Sequence, residues 1–153
     1  MPIYLSPQEI TRHTTEIKHR KYIESQDVPL FFGYLMKNHP NPYFSQDDYE
    51  KIRSIRLKSI FFTNEELVSF IQLFPNITIL SLVDLELTET DLKKIAEKCT
   101  LAFSFYFSQC PYLDVSSFKN AFGDFVEIAY GEYETPSNFS SSEDIGRFQH
   151  YQN

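Results

Sequence analysis

The chain has no tryptophan, two cysteines and four glycines among its 153 residues, and no apolar run in it approaches the about 18 residues a membrane-spanning helix needs. Each shortage excludes something. Without tryptophan, the 15 phenylalanines and 10 tyrosines must fill the core, and 42% hydrophobic residues suffice for one domain without disulfides. Cys99 and Cys110 are too few for a disulfide framework and read as reduced buried thiols. The glycines, Gly33, Gly123, Gly131 and Gly146, are scattered, so no glycine-rich phosphate loop exists, and no Gly-x-Ser-x-Gly elbow or Cys-Gly nucleophile motif occurs. His13, His19, His39 and His150 include no pair at i, i+3 or i, i+4, which leaves no zinc-binding helix face. These readings predict a protein with no enzyme activity, no cofactor and no metal.

Basic residues are also in deficit. Fourteen Lys and Arg against 21 Asp and Glu give a net charge of −7 and a pI near 5.0. Such a balance argues against nucleic acid and anionic membrane as partners, because both need a basic face. The excess is C-terminal: residues 123–153 carry one basic and six acidic side chains, whereas residues 51–122 carry eight of each. The N-terminus, Met1-Pro2-Ile3-Tyr4-Leu5, is too short and soon too polar for a signal peptide, so an intracellular, cytoplasmic location is expected. On that ground the acceptor-like triplets at Asn76 and Asn138 read as chance.

What the chain does have is a pattern written twice. Ile52, Ile55, Leu57, Ile60 and Phe62, moved forward by 25 positions, land on Ile77, Leu80, Leu82, Leu85 and Leu87, and the match runs on through Leu67/Leu92, Phe70/Ile95 and Phe74/Cys99. The first half of each unit alternates with period 2, which predicts a short strand. In the second half Leu67, Phe70 and Ile71, or Leu92, Ile95 and Ala96, follow the i, i+3, i+4 stripe of a helix buried on one side. Thr63 with Glu66, and Thr88 with Asp91, are spaced as capping boxes that open those helices. A third unit follows in Ala102, Phe105, Phe107 and Cys110. Its helix residues Phe118, Ala121 and Phe122 are displaced by one, so its loop has gained a residue. Phe125, Ile128 and Tyr130 supply a fourth strand. A lone strand-loop-helix unit cannot bury its apolar face, so stacked copies are predicted.

Residues 50 to 134 resemble leucine-rich repeats of the longer strand-and-helix kind that includes the cysteine-containing repeats of F-box-type proteins. Leu80 and Leu82 stand at the strand leucines, Leu92 opens the helix stripe, and Cys110 falls where that family often has Asn or Cys. The resemblance implies an α/β fold: a short right-handed solenoid of about 3.5 units with parallel strands and outer helices. The early Leu-Pro pair and Trp-containing segment of an F-box are absent.

Outside the repeats, residues 1–50 are expected to form a helical N-terminal cap. One helix starts at the Ser6/Glu9 box and runs to about Glu24, a second, densely apolar one covers Asp27 to Met36 and shields the open end of the first repeat, and a short one starts at Ser45. Residues 135–153 are either a polar, acidic, irregular tail or a C-terminal cap in which Phe139, Ile145, Phe148 and Tyr151 fold back.

With no chemistry to place, a surface remains. Strand positions between the inward residues would line the concave face of such a solenoid. They include Arg56 and Lys58, then Ile79, Ser81 and Val83, then Ser104 and Tyr106, and finally Glu127. An exposed patch of Ile79, Val83, Tyr106 and Arg56 would suit an interface core. The function expected is a non-catalytic module that binds another protein through this face, as an adaptor, substrate receptor or effector. The alternative is a structural module that associates with itself through a poorly capped last strand.

Overall fold

A computed structural model describes residues 6–31, 44–131 and 149–151. Helix α1 (Pro7–Arg20) leads into strand β1 (Tyr22–Glu24) and a 3-10 helix (Ser25–Leu30); α2 (Gln46–Lys51) precedes β2 (Ser54–Lys58). Then α3 (Asn64–Ile71), β3 (Ile79–Val83), α4 (Glu89–Lys98), β4 (Ser104–Ser108), α5 (Val115–Phe122) and β5 (Glu127–Gly131) alternate, and β6 (Gln149–Tyr151) completes a six-stranded sheet in sequence order. Strands β1 to β5 are parallel, each reached by a crossover through a helix, and β6 returns antiparallel to β5. The class is α/β.

The repeat in the sequence is the register of the sheet. Ile55 pairs with Leu80 and Leu80 with Phe105, while Leu57 pairs with Leu82 and Leu82 with Phe107, so residues 25 apart stand side by side. All six are buried, on the side that α3, α4 and α5 pack against, in a core continuous with Leu67, Phe70, Leu92, Ile95 and Phe118. Each of these helices begins with a reciprocal capping box: Thr63/Glu66, Thr88/Asp91 and Asp114/Ser117. Two orphan backbone N–H groups are thereby satisfied at each start, which fixes where the helix begins. The displaced third helix follows from a β4–α5 loop one residue longer than the β3–α4 loop.

A conformational repeat accompanies the apolar one. Ser59, Asp84 and Gln109, the residues just past β2, β3 and β4, have φ of 50°, 55° and 55°. The left-handed turn lets each chain leave the sheet while staying bonded to the next strand: Ser59 N–H donates to Val83 O at 3.0 Å and Asp84 N–H to Ser108 O at 2.9 Å. Ser59 Oγ also donates to Asp84 Oδ2 at 2.7 Å, joining equivalent positions of two units.

Two expectations change. Residues 22–24 form a strand, not the end of a helix: α1 stops at Arg20, Lys21 takes φ 64° as its C-cap, and Ile23 enters the core opposite Ile55. The turn is held by Asp27, a buried carboxylate that accepts from the Arg20 guanidinium and from Glu24 N–H. In the last unit Val126 is buried where Phe125 was expected, and Phe125 is 92% exposed, although the β4–β5 spacing of 23 (Ser104 with Glu127) sets Phe125 at the position of the buried Ala102.

The open end of the first unit is covered. Phe31 is buried, with its ring centroid 5.5 Å from that of Phe70 and 5.7 Å from that of Phe74. Phe44 and Tyr49 complete the group at 4.7 Å from each other. These rings pack against Phe70 of α3 and against Phe74 just past its end. Of the helix expected over Asp27 to Met36, residues 27–30 belong instead to the 3-10 helix Ser25–Leu30, which ends at Phe31, and residues 32–36 lie outside the described residues. Of the expected tail, only 149–151 is described, and it forms a strand: β5 presents an unpaired row of N–H and C=O groups to pair with.

Candidate interaction face of the sheet

Because side chains alternate along a strand, the residues between the core positions project from the other face of the sheet. The register arranges them in three rows. Tyr22, Ser54, Ile79, Ser104 and Glu127 form the first; Glu24, Arg56, Ser81, Tyr106 and Ala129 the second; Lys58, Val83, Ser108 and Gly131 the third. All eight expected contact residues therefore lie on one face, and β1 extends it with Tyr22 and Glu24, which the sequence pattern had placed in a helix.

The face is not uniformly open. Lys58 and Glu127 are exposed, Ile79 is 39% exposed, and Arg56 and Ser104 are half-buried. Ser81, Val83 and Tyr106 are buried, at 1%, 0% and 1% exposure. The exposure expected of Val83 and Tyr106 is thus corrected: both belong to a second, smaller apolar cluster with Ala129. Small lateral neighbours explain why a tyrosine fits into such a cluster, for Tyr106 stands between Ser81 on β3 and Ala129 on β5.

What stays accessible is an L-shaped strip. One arm is the first row, with Ile79 at its middle and Glu127 at its end. The other is the β1–β2 corner, where the Arg56 guanidinium lies 5.8 Å and that of Arg20 4.9 Å from the centre of the Tyr22 ring. Stacking of this kind holds the guanidinium planes in place, and Arg20 is also paired with Asp27 and Glu24. Ser25 fixes the corner, its Oγ accepting from Lys58 N–H at 2.8 Å and donating to Lys58 O at 3.3 Å.

No group of three His, Cys, Asp or Glu among the described residues could hold a metal ion. Both thiols are buried; burial pushes the Cys99 thiol up to about 12 and raises that of Cys110, which keeps them protonated and poorly nucleophilic. No helix among the described residues is long and apolar enough to cross a membrane. Compared with known protein families, curated proteins and solved structures, the chain shows no match.

Proposed function

We propose that this chain is a leucine-rich-repeat-type solenoid, and that it works as a non-catalytic module binding another protein through the helix-free face of its sheet. The solenoid reading is supported by the 25-residue register and the left-handed exits at Ser59, Asp84 and Gln109. It is also supported by Cys110, whose thiol donates to Leu82 O of the preceding strand at 3.5 Å, the kind of side-chain rung such repeats use. The single observation that carries the binding reading is the exposed Ile79, with Ser54 and Ser104 beside it in its row, Glu127 at the end of that row and Arg56 one row along on β2. An apolar centre with a charged rim is how interfaces are built. Ser81, Val83 and Tyr106 then act as the floor that sets the strip's shape. An adaptor, a substrate receptor and an effector all fit this description, and an intracellular site is part of the same reading.

The test is an affinity pull-down of wild type against the double variant Arg56→Glu/Ile79→Ser, with the bound proteins identified by mass spectrometry. A protein retained by wild type and lost with the variant supports the face as the binding site. Identical capture by both overturns it.

A further inference from the structure

Parallel strands all release their loops at one end of the sheet, and the loops after β2, β3 and β4 stand side by side there. Each carries two inward apolar residues with a short outward tip between them. In the first, Ile60 and Phe62 pack against the core on either side of Phe61; in the second, the buried Leu85 and Leu87 flank Glu86. The third loop is the one with the extra residue, so Pro111 and Tyr112 share the tip between the buried Cys110 and Leu113. Phe61 is 99% exposed and Tyr112 61%, and Glu86 is exposed between them.

Hydrogen bonds hold the three tips in place. Asn64 Nδ2 donates to Glu86 O at 3.0 Å, joining the first tip to the second, and Leu113 N–H donates to Cys110 O at 3.1 Å, closing a tight turn around Pro111 and Tyr112. Two strand spacings, about 10 Å, separate the backbones that carry the two rings, so a cation midway stands about 5 Å from each, within the about 6 Å reach of a cation–π contact. Carboxylates surround that point: Glu65, Asp84, Glu86 and Asp114 are exposed, against Lys58 at the end of β2. The starts of α3 and α5 account for Glu65 and Asp114, which complement a helix dipole or cap it. Glu86 precedes the α4 N-cap Thr88, caps nothing, and makes no ion pair among the described residues.

We propose that Phe61, Glu86 and Tyr112 form a docking site that takes an arginine side chain of a partner protein. The guanidinium enters between the two rings, stacks on them and pairs with the Glu86 carboxylate. A planar cation suits this row better than an ammonium does, because guanidinium stacks on aromatic faces and meets a carboxylate through two parallel N–H groups. The acidic surround repels phosphate and so disfavours nucleic acid, and it favours an arginine set in a basic segment. Tips already fixed by their loops lose little freedom on binding. The site lies at the strand exits, off the helix-free face of the sheet, and does not depend on that face having a partner.

The test is an NMR titration of the full, isotope-labelled chain with the peptide acetyl-Gly-Arg-Gly-amide over the millimolar range, followed by backbone amide shifts. The same peptide with lysine, and with uncharged citrulline, in place of arginine serve as comparisons. Saturable shifts are expected from the arginine peptide, confined to the three loops 59–63, 84–88 and 109–114. The citrulline peptide should bind at least tenfold more weakly and the lysine peptide at least threefold. Phe61→Ser and Glu86→Gln should each weaken the arginine peptide at least fivefold, whereas Phe61→Tyr, which keeps a ring at the tip, should retain it. All three changes are at exposed positions, and unchanged shifts outside the loops report that the variants are folded. Absence of saturable shifts in wild type overturns the proposal, as do shifts centred on the sheet face, equal binding of the citrulline or lysine peptide, or binding undiminished by Phe61→Ser or Glu86→Gln.

Discussion

The Cys99 thiol donates to the carbonyl oxygen of Phe74 at 3.5 Å, and Phe74 is the residue that occupies the same position one unit earlier. A second contact, to Ile71 O at 3.6 Å, reaches the last residue of α3. The end of one helix thus adds a thiol contact to carbonyls at and just past the end of the previous one, which also accept from Phe74 N–H and Ile77 N–H. Because Cys99 is fully buried, this rung also ties stability to pH. Its thiol is pushed up to about 12 in the folded chain, above its ordinary value of 9.0. Below pH of about 9 both folded and unfolded chains hold the proton; above it the unfolded chain releases the proton first. Stability is therefore expected to fall as pH rises from about 9 towards 12, at up to about 1.4 kcal/mol per pH unit. Chemical denaturation at pH 8 and pH 10.5 checks this, and Cys99→Ala should flatten the alkaline fall. An equal fall in the variant would contradict the role given to Cys99.

The same burial governs reactivity. Native Cys99 and Cys110 should react with a thiol reagent only as fast as the chain opens, and both should react at once in denaturant. Rapid labelling of the native chain would contradict the placement of either thiol.

The left-handed exits are occupied by residues that bear a Cβ. Gln109, exposed and at φ 55°, carries strain that glycine does not, so Gln109→Gly should raise stability by about 0.5–1 kcal/mol despite the greater freedom of the unfolded chain. Ser59→Gly should gain less, because it removes the bond to Asp84. Urea midpoints of the two variants measure the difference.

The turn from α1 into β1 rests on Asp27. Asp27→Ala removes the acceptor of both the Arg20 guanidinium and Glu24 N–H in a buried place, and should cost about 2–4 kcal/mol. A loss under 0.5 kcal/mol would show that β1 is held in the sheet by the core contacts of Ile23 alone.

These predictions also show what was legible in the sequence. The register of β2, β3 and β4 and the starts of α3 and α4 follow from apolar spacing and capping chemistry, which are local and written in every unit. Strand β1 was hidden because Tyr22-Ile23-Glu24 is too short for a period, and its strand state comes from pairing with residues more than 30 positions away. The exits at Ser59 and Gln109 gave no warning because neither is glycine or asparagine. The placement of Arg56, Lys58, Ile79, Ser104 and Glu127 on one face could be read from alternation alone. The burial of Val83 and Tyr106 could not, because alternation assigns a face and says nothing about what lies over it.

The faces themselves are tested by stability. Leu82→Ala should cost about 2–5 kcal/mol, since Leu82 is fully buried between Leu57 and Phe107, while Arg56→Glu on the opposite face should change stability by less than about 1 kcal/mol. Equal losses would contradict the assignment of the two faces.

The most direct measurement of the central claim is site-specific photo-crosslinking in cell lysate, with a photoreactive residue at position 79 on the open strip and, separately, at position 94 on the exposed side of α4. The account predicts a discrete crosslinked partner from position 79, absent from position 94 and lost when Arg56→Glu is added. Crosslinks to the same proteins from both positions, or from position 94 alone, would contradict it.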